Sequence, residues 1–271
     1  MAKVLVVTSG KGGVGKTTST AAIGAALAQR GQRVVVVDFD VGLRNLDLVM
    51  GAERRVVFDL INVVQGVAKL PQALIRDKRL ENLWLLPASQ TRDKDALTED
   101  GVGRIIADLR ESHDWVLCDS PAGIERGATL AMRFADEAVI VTNPEVSSVR
   151  DSDRIIGMLD AKTVKAEKGE RVAKHILITR YDPARAARGE MISIEDILDI
   201  LATPLLGIIP ESQDVLRASN VGSPVTLNNP ASAPARAYAD ATRRLLGETV
   251  AMMVPSERKG LINLLLGRRA A

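Results

Sequence analysis

Short runs of consecutive apolar residues alternate along the chain with longer stretches of helical periodicity. Turn-forming residues bound these runs, which lie at residues 4–7, 34–37, 83–86, 115–117, 138–141, 175–178 and 205–209. A strand in which every residue is apolar must be covered on both faces, so the runs indicate the buried strands of a parallel sheet.

The stretches between the runs predict helices with recognisable ends. Residues 17–30 are rich in alanine and stop before Gly31, a residue type that suits the backbone just after a helix. Ser193 is a predicted helix cap, and residues 235–246 form a last helix before Gly247. This alternation predicts an α/β fold in which a mostly parallel sheet carries helices on both faces.

The chain is organised as one domain with a short tail. Residues 1–247 carry the strand–helix pattern, residues 248–258 have the mixed polarity of a linker, and residues 259–271 form a separate apolar and basic segment. The first residues lack a signal-peptide core, and no window reaches the ~20 apolar residues of a membrane-spanning helix. The sequence therefore predicts a cytoplasmic protein.

Composition excludes several kinds of chemistry. One cysteine and two histidines exclude an internal disulfide, a Cys-rich metal site and a reductase whose cluster needs several cysteines of one chain. Lys and Arg number 36 against 34 Asp and Glu, and aromatic residues make up 3% of the chain. Neither a basic nucleic-acid surface nor a base-stacking platform is therefore predicted, and no nucleic-acid partner is expected.

Residues 10–17, GKGGVGKT, fit the phosphate-loop pattern G-x-x-x-x-G-K-[ST] in full. The glycines let successive backbone N–H groups converge on phosphate oxygens, and the following helix adds the positive end of its dipole. Lys16 would contact the β- and γ-phosphates of ATP, and Thr17 would bind Mg²⁺. The alternative is a glycine-rich turn that binds no ligand. The predicted nucleotide-binding residues are Lys11, Gly12, Gly13, Val14, Gly15, Lys16, Thr17, Thr18 and Arg180.

Carboxylates follow two of the predicted strands. Asp38 and Asp40 come after one strand and Asp119 after another. Ligands of open parallel sheets lie beyond the carboxyl ends of the strands, so we expect all three to face the phosphate loop. With Thr17 they form the predicted Mg²⁺ site, binding directly or through water, and Asp40 is expected to position the attacking water. The alternative is that each carboxylate caps the turn after its strand.

Two basic residues have open interpretations. Lys11 is a second lysine in the loop, and it is either solvated or contacts the nucleotide of another subunit. Arg180 follows a further strand and either packs on the adenine or forms an ion pair. Lys11, Lys16 and Asp40 make up the predicted catalytic set.

The lysine-flanked loop at residues 11–17 resembles the deviant Walker A ATPases of the ParA/MinD family, which have a P-loop NTPase fold. The similarity to the division-site-selection members of that family covers nearly the whole chain and includes residues 38–40, 42–47, 118–123, 143–154 and 216–220. It implies a homodimer formed with ATP, in which Lys11 reaches the phosphates bound by the partner subunit.

The resemblance also implies a cellular role. ATPases of this group are expected to bind the septum inhibitor MinC, to be released from the membrane when MinE stimulates hydrolysis, and so to place the division septum. The expected partner surface comprises Asn45 and the helix at residues 148–154, including Asp151 and Asp153. The alternatives are a ParA-type DNA-segregation ATPase and a scaffold that binds ATP without turnover.

The tail contains an apolar run between basic flanks at Arg258, Lys259, Arg268 and Arg269. As a helix it would suit an anionic lipid surface, although a disordered tail or one folded onto the domain would have the same composition. The resemblance implies a membrane-targeting helix on the cytoplasmic face of the inner membrane. The predicted membrane residues are Leu261, Ile262, Leu264, Leu265 and Leu266.

Overall fold

The computed structural model describes residues 2–90 and 96–256, in which strands and helices alternate. The strands are β1 (Lys3–Thr8), β2 (Val34–Asp38), β3 (Ile75–Arg76), β4 (Leu83–Leu86), β5 (Trp115–Asp119), β6 (Glu137–Thr142), β7 (Ala173–Tyr181) and β8 (Leu205–Pro210). The helices are α1 (Lys16–Gln29), α2 (Leu46–Val49), α3 (Leu60–Val64), α4 (Leu70–Ala73), α5 (Glu99–Ser112), α6 (Arg126–Arg133), α7 (Val146–Lys162), α8 (Val164–Glu167), α9 (Pro183–Ala187), α10 (Ile194–Leu201), α11 (Gln213–Asn220), α12 (Val225–Asn228) and α13 (Ala233–Leu245).

The strands form a single sheet in the order β3-β4-β2-β5-β1-β6-β7-β8. All neighbouring pairs are parallel except β3 and β4, which pair antiparallel at one edge. The pattern of apolar runs predicted every strand except β3, because two residues are too few to form a run. Strand β7 is longer than predicted, since its polar end continues to pair with β8.

Alternate residues of each strand face different layers of helices. In β1, Val4 and Val6 pack in a core with residues of α5, α6 and α7, whereas Leu5 and Val7 pack in a second core with residues of α1 and α13. All four side chains are fully buried. The mostly parallel sheet with helices on both faces confirms the predicted fold class.

The phosphate loop directly follows β1, so it lies at the carboxyl ends of the central strands. In the sheet register Asp38 lies opposite Asp119, and Asp119 lies opposite Val7. The strand-end carboxylates are therefore neighbours of the loop, as the parallel arrangement predicted.

The residues that follow α13 lie near β8, the strand at the other side of the sheet from β3. Arg244 in α13 donates to the carbonyl oxygens of Leu206, near the amino end of β8, and of Val250 and Ala251 beyond the helix. Glu248 forms ion pairs with Arg30 and Arg243. The first residues of the predicted linker are thus held against the domain.

The predicted membrane residues of the tail lie beyond residue 256, outside the described part of the chain. Within residues 2–90 and 96–256, no helix is both long enough and apolar enough to cross a bilayer.

Candidate nucleotide-binding site

Two glycines shape the loop between β1 and α1. Gly13 and Gly15 have φ angles of 74° and 98°, a backbone conformation that favours glycine over any residue with a Cβ atom. Gly15 occupies the N-cap position of α1 and has no side chain with which to cap the first N–H groups of the helix. The start of α1 therefore presents backbone donors and a positive dipole end, the arrangement that binds anions.

Lys16 is buried at the base of the loop, with 7% of its surface exposed. Its ammonium donates to the hydroxyl of Ser9 at 3.1 Å and to the carbonyl oxygen of Lys11 at 3.4 Å. Burial lowers the pKa of Lys16, and the nearby charges of Asp119 and Asp40 partly oppose that effect. Because a buried ammonium is costly without a counter-charge, a phosphate group beside Lys16 would stabilise its protonated form.

The Asp38 carboxylate is fully buried and shapes the chain that follows β2. It accepts hydrogen bonds from the backbone N–H groups of Asp40 at 2.8 Å and Leu46 at 3.2 Å. Burial, together with the charge of Asp119, raises the pKa of Asp38. Asp38 thus makes capping contacts of the kind that were the alternative to Mg²⁺ binding.

Asp119 lies beside the first turn of α1. Its carboxylate accepts hydrogen bonds from the hydroxyls of Thr20, at 3.1 Å, and Thr17. Burial raises the pKa of Asp119 to about 7 against the opposing effects of the Thr17 hydrogen bond and the Lys16 charge. Thr17 and Asp119 therefore meet at one point, where hard oxygen ligands suit Mg²⁺.

The predicted metal residues come together at this edge without forming a cage. In the described ranges, no three His, Cys, Asp or Glu side chains are grouped so that they could hold a metal ion by themselves. Asp40 is only partly buried, in contrast to Asp38 and Asp119. These residues fit a Mg²⁺ that takes most of its ligands from water and phosphate, which is the usual habit of that ion.

The Lys11 side chain contacts the start of α7. Its ammonium lies 2.7 Å from a carboxylate oxygen of Glu145 and 3.0 Å from the hydroxyl of Ser147. This hydrogen bond to Lys11 lowers the pKa of Glu145. Sequence reasoning missed both partners of Lys11, although they follow the end of β6 at the same edge of the sheet as the loop.

A cavity of about 290 Å³ opens beside the loop and α1. It is lined by Val14, Gly15 and Thr18 of the loop region and by the end of β8 and α11, including Pro210, Glu211, Gln213 and Leu216. The residues after β8 were not identified from the sequence as part of the site. They nevertheless follow the carboxyl end of a parallel strand, as Asp119 does.

Arg180 lies at the rim of this cavity in a left-handed backbone conformation with φ 53°. Its charge also contributes to the lowered pKa of Glu145. Both interpretations of Arg180, an adenine contact and an electrostatic role, therefore remain open predictions.

The predicted partner surface lies next to the loop. Asn45 is exposed at the start of α2, Asp153 is exposed on α7, and Asp151 is half-buried. A Cβ atom added to Gly10 would lie 2.5 Å from the backbone oxygen of Asp151, so α7 packs directly on the loop. The nucleotide site and the expected partner helix are therefore in contact.

This contact predicts the effect of Gly10→Ala. We expect the free energy of unfolding to fall by about 1–3 kcal/mol, because the new methyl group must displace α7 or the loop. Gly12→Ala is the matched control, since the nearest atom to its added Cβ would be 3.8 Å away. Urea unfolding without nucleotide measures both variants, and equal losses would contradict the steric argument.

Comparison with known proteins places this geometry in a family. The sequence profile of the CobQ/CobB/MinD/ParA nucleotide binding domain matches residues 5–225. The septum site-determining protein MinD of Escherichia coli K12 is 60% identical over 270 residues, covering 98% of this chain and 100% of that protein.

Two solved structures resemble the fold closely. A MinC:MinD cell division protein complex from Aquifex aeolicus contains a chain with a TM-score of 0.84 and 42% identity, covering 94% of this chain and all of that one. The Pyrococcus horikoshii MinD complexed with Mg-ADP has a TM-score of 0.79 and 32% identity, with coverage of 90% and 96%. These findings confirm the resemblance and favour the septum-site members over the DNA-segregation alternative. The chain therefore belongs to the MinD family of septum site-determining, nucleotide-binding ATPases.

Proposed function

We propose that the chain is a Mg²⁺-dependent ATPase of cell division that cycles between a free form and a membrane-bound homodimer. ATP closes the dimer, the C-terminal tail attaches it to the cytoplasmic face of the inner membrane, and the dimer binds MinC. Stimulation of hydrolysis by MinE then releases it, so that the cycle places the division septum.

The observation that carries this proposal is the opposite placement of two lysines in one loop. Lys16 is buried at 7% exposure, whereas 37% of the Lys11 side chain is exposed and faces outward. This difference supports a role for Lys16 at the phosphates of its own subunit and a role for Lys11 at those of a second subunit. An arginine supplied by a second protein acts similarly in other phosphoryl transfer reactions.

The roles of the remaining residues follow from their positions. Bound Mg²⁺ would neutralise developing charge on the phosphates, and Thr17 with Asp119 would hold it. Asp40 would position the attacking water at the open side of the loop. Hydrolysis by the single chain is expected to be slow, because Lys11 is held by Glu145 and Ser147, away from Lys16.

Partner binding and membrane attachment rest on different support. The MinC complex of the Aquifex relative supports MinC binding, and the contact between the loop and α7 offers a route from ATP to that surface. For the tail, burying five aliphatic side chains contributes at most ~7–15 kcal/mol. Ordering ~10 residues costs ~15 kcal/mol, so that one tail is marginal. Two tails on one dimer gain ~10²–10⁴ in avidity.

Vesicle sedimentation tests the proposal. We expect the full chain to sediment with vesicles containing phosphatidylglycerol when a nonhydrolysable ATP analogue is present, and to remain in solution with ADP. A version ending at Arg258 should stay in solution with either nucleotide, while retaining the ability to dimerise. Sedimentation of that shortened version would contradict attachment through the tail.

A duplex DNA arm separates the competing function. The nearly neutral charge predicts no ATP-dependent DNA binding at 150 mM salt. Tight binding to DNA together with no binding to vesicles would replace the proposed function with DNA segregation. Phosphate release measured in the same samples distinguishes a working ATPase from a scaffold that only binds ATP.

A further inference from the structure

The segment after α13 exposes an unusual run of apolar side chains. Met252, Met253 and Val254 are 36%, 71% and 52% exposed, and they belong to neither a helix nor a strand. In the part of the chain that the structure describes, no other three consecutive large apolar residues are exposed. Isolated exposed apolar residues are ordinary on protein surfaces, whereas a contiguous group marks an interaction surface. We call residues 252–254 the apolar strip.

The start of this segment is fixed to the domain. The guanidinium of Arg244 donates to the carbonyl oxygens of Val250 at 3.1 Å, Ala251 at 2.6 Å and Leu206 at 2.8 Å. One side chain therefore joins two backbone groups just before the strip to strand β8. Glu248, bound by Arg30 and Arg243, adds a second attachment. The strip is thus presented at a defined place on the domain.

The distance to the tail limits what the strip can contact. Six residues separate Val254 from Leu261, where the apolar run of the tail begins. Even fully extended, these residues span at most about 25 Å. When the tail lies in a lipid surface, the strip must lie within that distance of the same surface. Continuity with the tail therefore favours lipid over any other occupant.

We infer that the apolar strip is a second membrane contact, which inserts into the lipid surface beside the tail and is positioned by Arg244. This inference rests on the proposed membrane attachment. It makes the anchor bipartite, with one part fixed to the domain and one part joined by a short connection. Because the fixed part costs little ordering entropy, its burial contributes to affinity without the penalty that makes one tail marginal.

A polarity-sensitive fluorophore tests the inference directly. Met253→Cys provides one labelling site, because burial shields Cys118 and raises the pKa of its thiol to about 12. Val67→Cys is the matched control, since Val67 is 64% exposed on a different part of the surface. With phosphatidylglycerol vesicles and an ATP analogue, emission from position 253 should shift to shorter wavelength and that from position 67 should not.

Two results of this experiment would overturn the inference. One is an unchanged emission from position 253 in protein that has sedimented with the vesicles. The other is a full shift on adding the ATP analogue without vesicles, which would show that protein covers the strip, either the tail or a second copy of the chain.

A double substitution measures the contribution of the strip. We expect Met253→Ser with Val254→Ser to weaken vesicle binding about tenfold, equivalent to about 1.4 kcal/mol, while leaving ATP-dependent dimerisation unchanged. Val67→Ser should leave vesicle binding unchanged. If the double variant binds vesicles with full affinity, the strip is not a membrane contact, and the proposed function is unaffected. If the unsubstituted chain itself stays in solution, the proposed membrane attachment is wrong, and so is the inference that the strip contacts lipid.

Discussion

Lys16→Ala is expected to reduce ATP hydrolysis by roughly 10²–10³-fold or more, the loss typical of removing one preorganised group that stabilises transition-state charge. Lys16 is buried at the base of the phosphate loop, beside Ser9 and near Asp119. Alanine would remove the only buried cation of the loop and leave a small polar cavity in its place. Phosphate release with saturating Mg-ATP measures the effect.

The control for this variant is its fold. Removing the ammonium relieves its own desolvation cost but also removes the positive charge beside the buried Asp119 carboxylate, so the free energy of unfolding without nucleotide should fall modestly. Near-normal hydrolysis by Lys16→Ala would show that the loop does not act through this charge. A chain that fails to fold would be recognised by its unfolding curve before any kinetic measurement is interpreted.

Lys11→Ala is expected to leave ATP binding largely intact and to abolish ATP-dependent dimerisation. Hydrolysis should fall by roughly 10²–10³-fold, because each site would lose the cation supplied by the other subunit. The physical reason lies in the outward placement of Lys11, which contacts Glu145 and Ser147 and lies apart from the Lys16 pocket. Equilibrium sedimentation with an ATP analogue measures the dimer, and titration of a fluorescent nucleotide measures binding.

Glu145→Gln is the informative partner variant. It removes the negative charge that holds Lys11 and keeps the shape of the side chain, so Lys11 should be released more easily and dimerisation should strengthen. The pair is partly exposed, so we expect only about a two- to fivefold change, as for other surface ion pairs.

Loss of nucleotide affinity in Lys11→Ala equal to that of Lys16→Ala would contradict the division of roles between the two lysines.

The elements that the sequence predicted share one property, which is that their evidence is local. The phosphate loop is recognised from consecutive residues, together with the strand before it and the helix after it. The meeting of Asp38 and Asp119 required one further rule, that parallel strands end at the same edge, and the register confirms it.

The contacts that escaped prediction depend on long-range packing. Glu145 lies 134 residues from Lys11, and no periodicity or motif marks it as the partner of that lysine. Arg244 contacts three carbonyl oxygens, which every residue possesses, so no pattern in the sequence indicates these contacts. Asp38 is an intermediate case, since capping of the turn after β2 was the stated alternative, but the sequence did not identify the backbone N–H groups of Asp40 and Leu46 as its partners.

The attachment of Arg244 to Leu206 has a geometric consequence for a closed dimer. Leu206 lies near the amino end of β8, whereas the phosphate loop follows the carboxyl end of β1. In the proposed dimer, whose subunits meet through their loops, residues 250 and 251 of each subunit would lie on the side away from the loop. If the apolar strips that follow these residues contact lipid as proposed, the two contacts would be well separated and would resist tilting of the dimer better than adjacent ones.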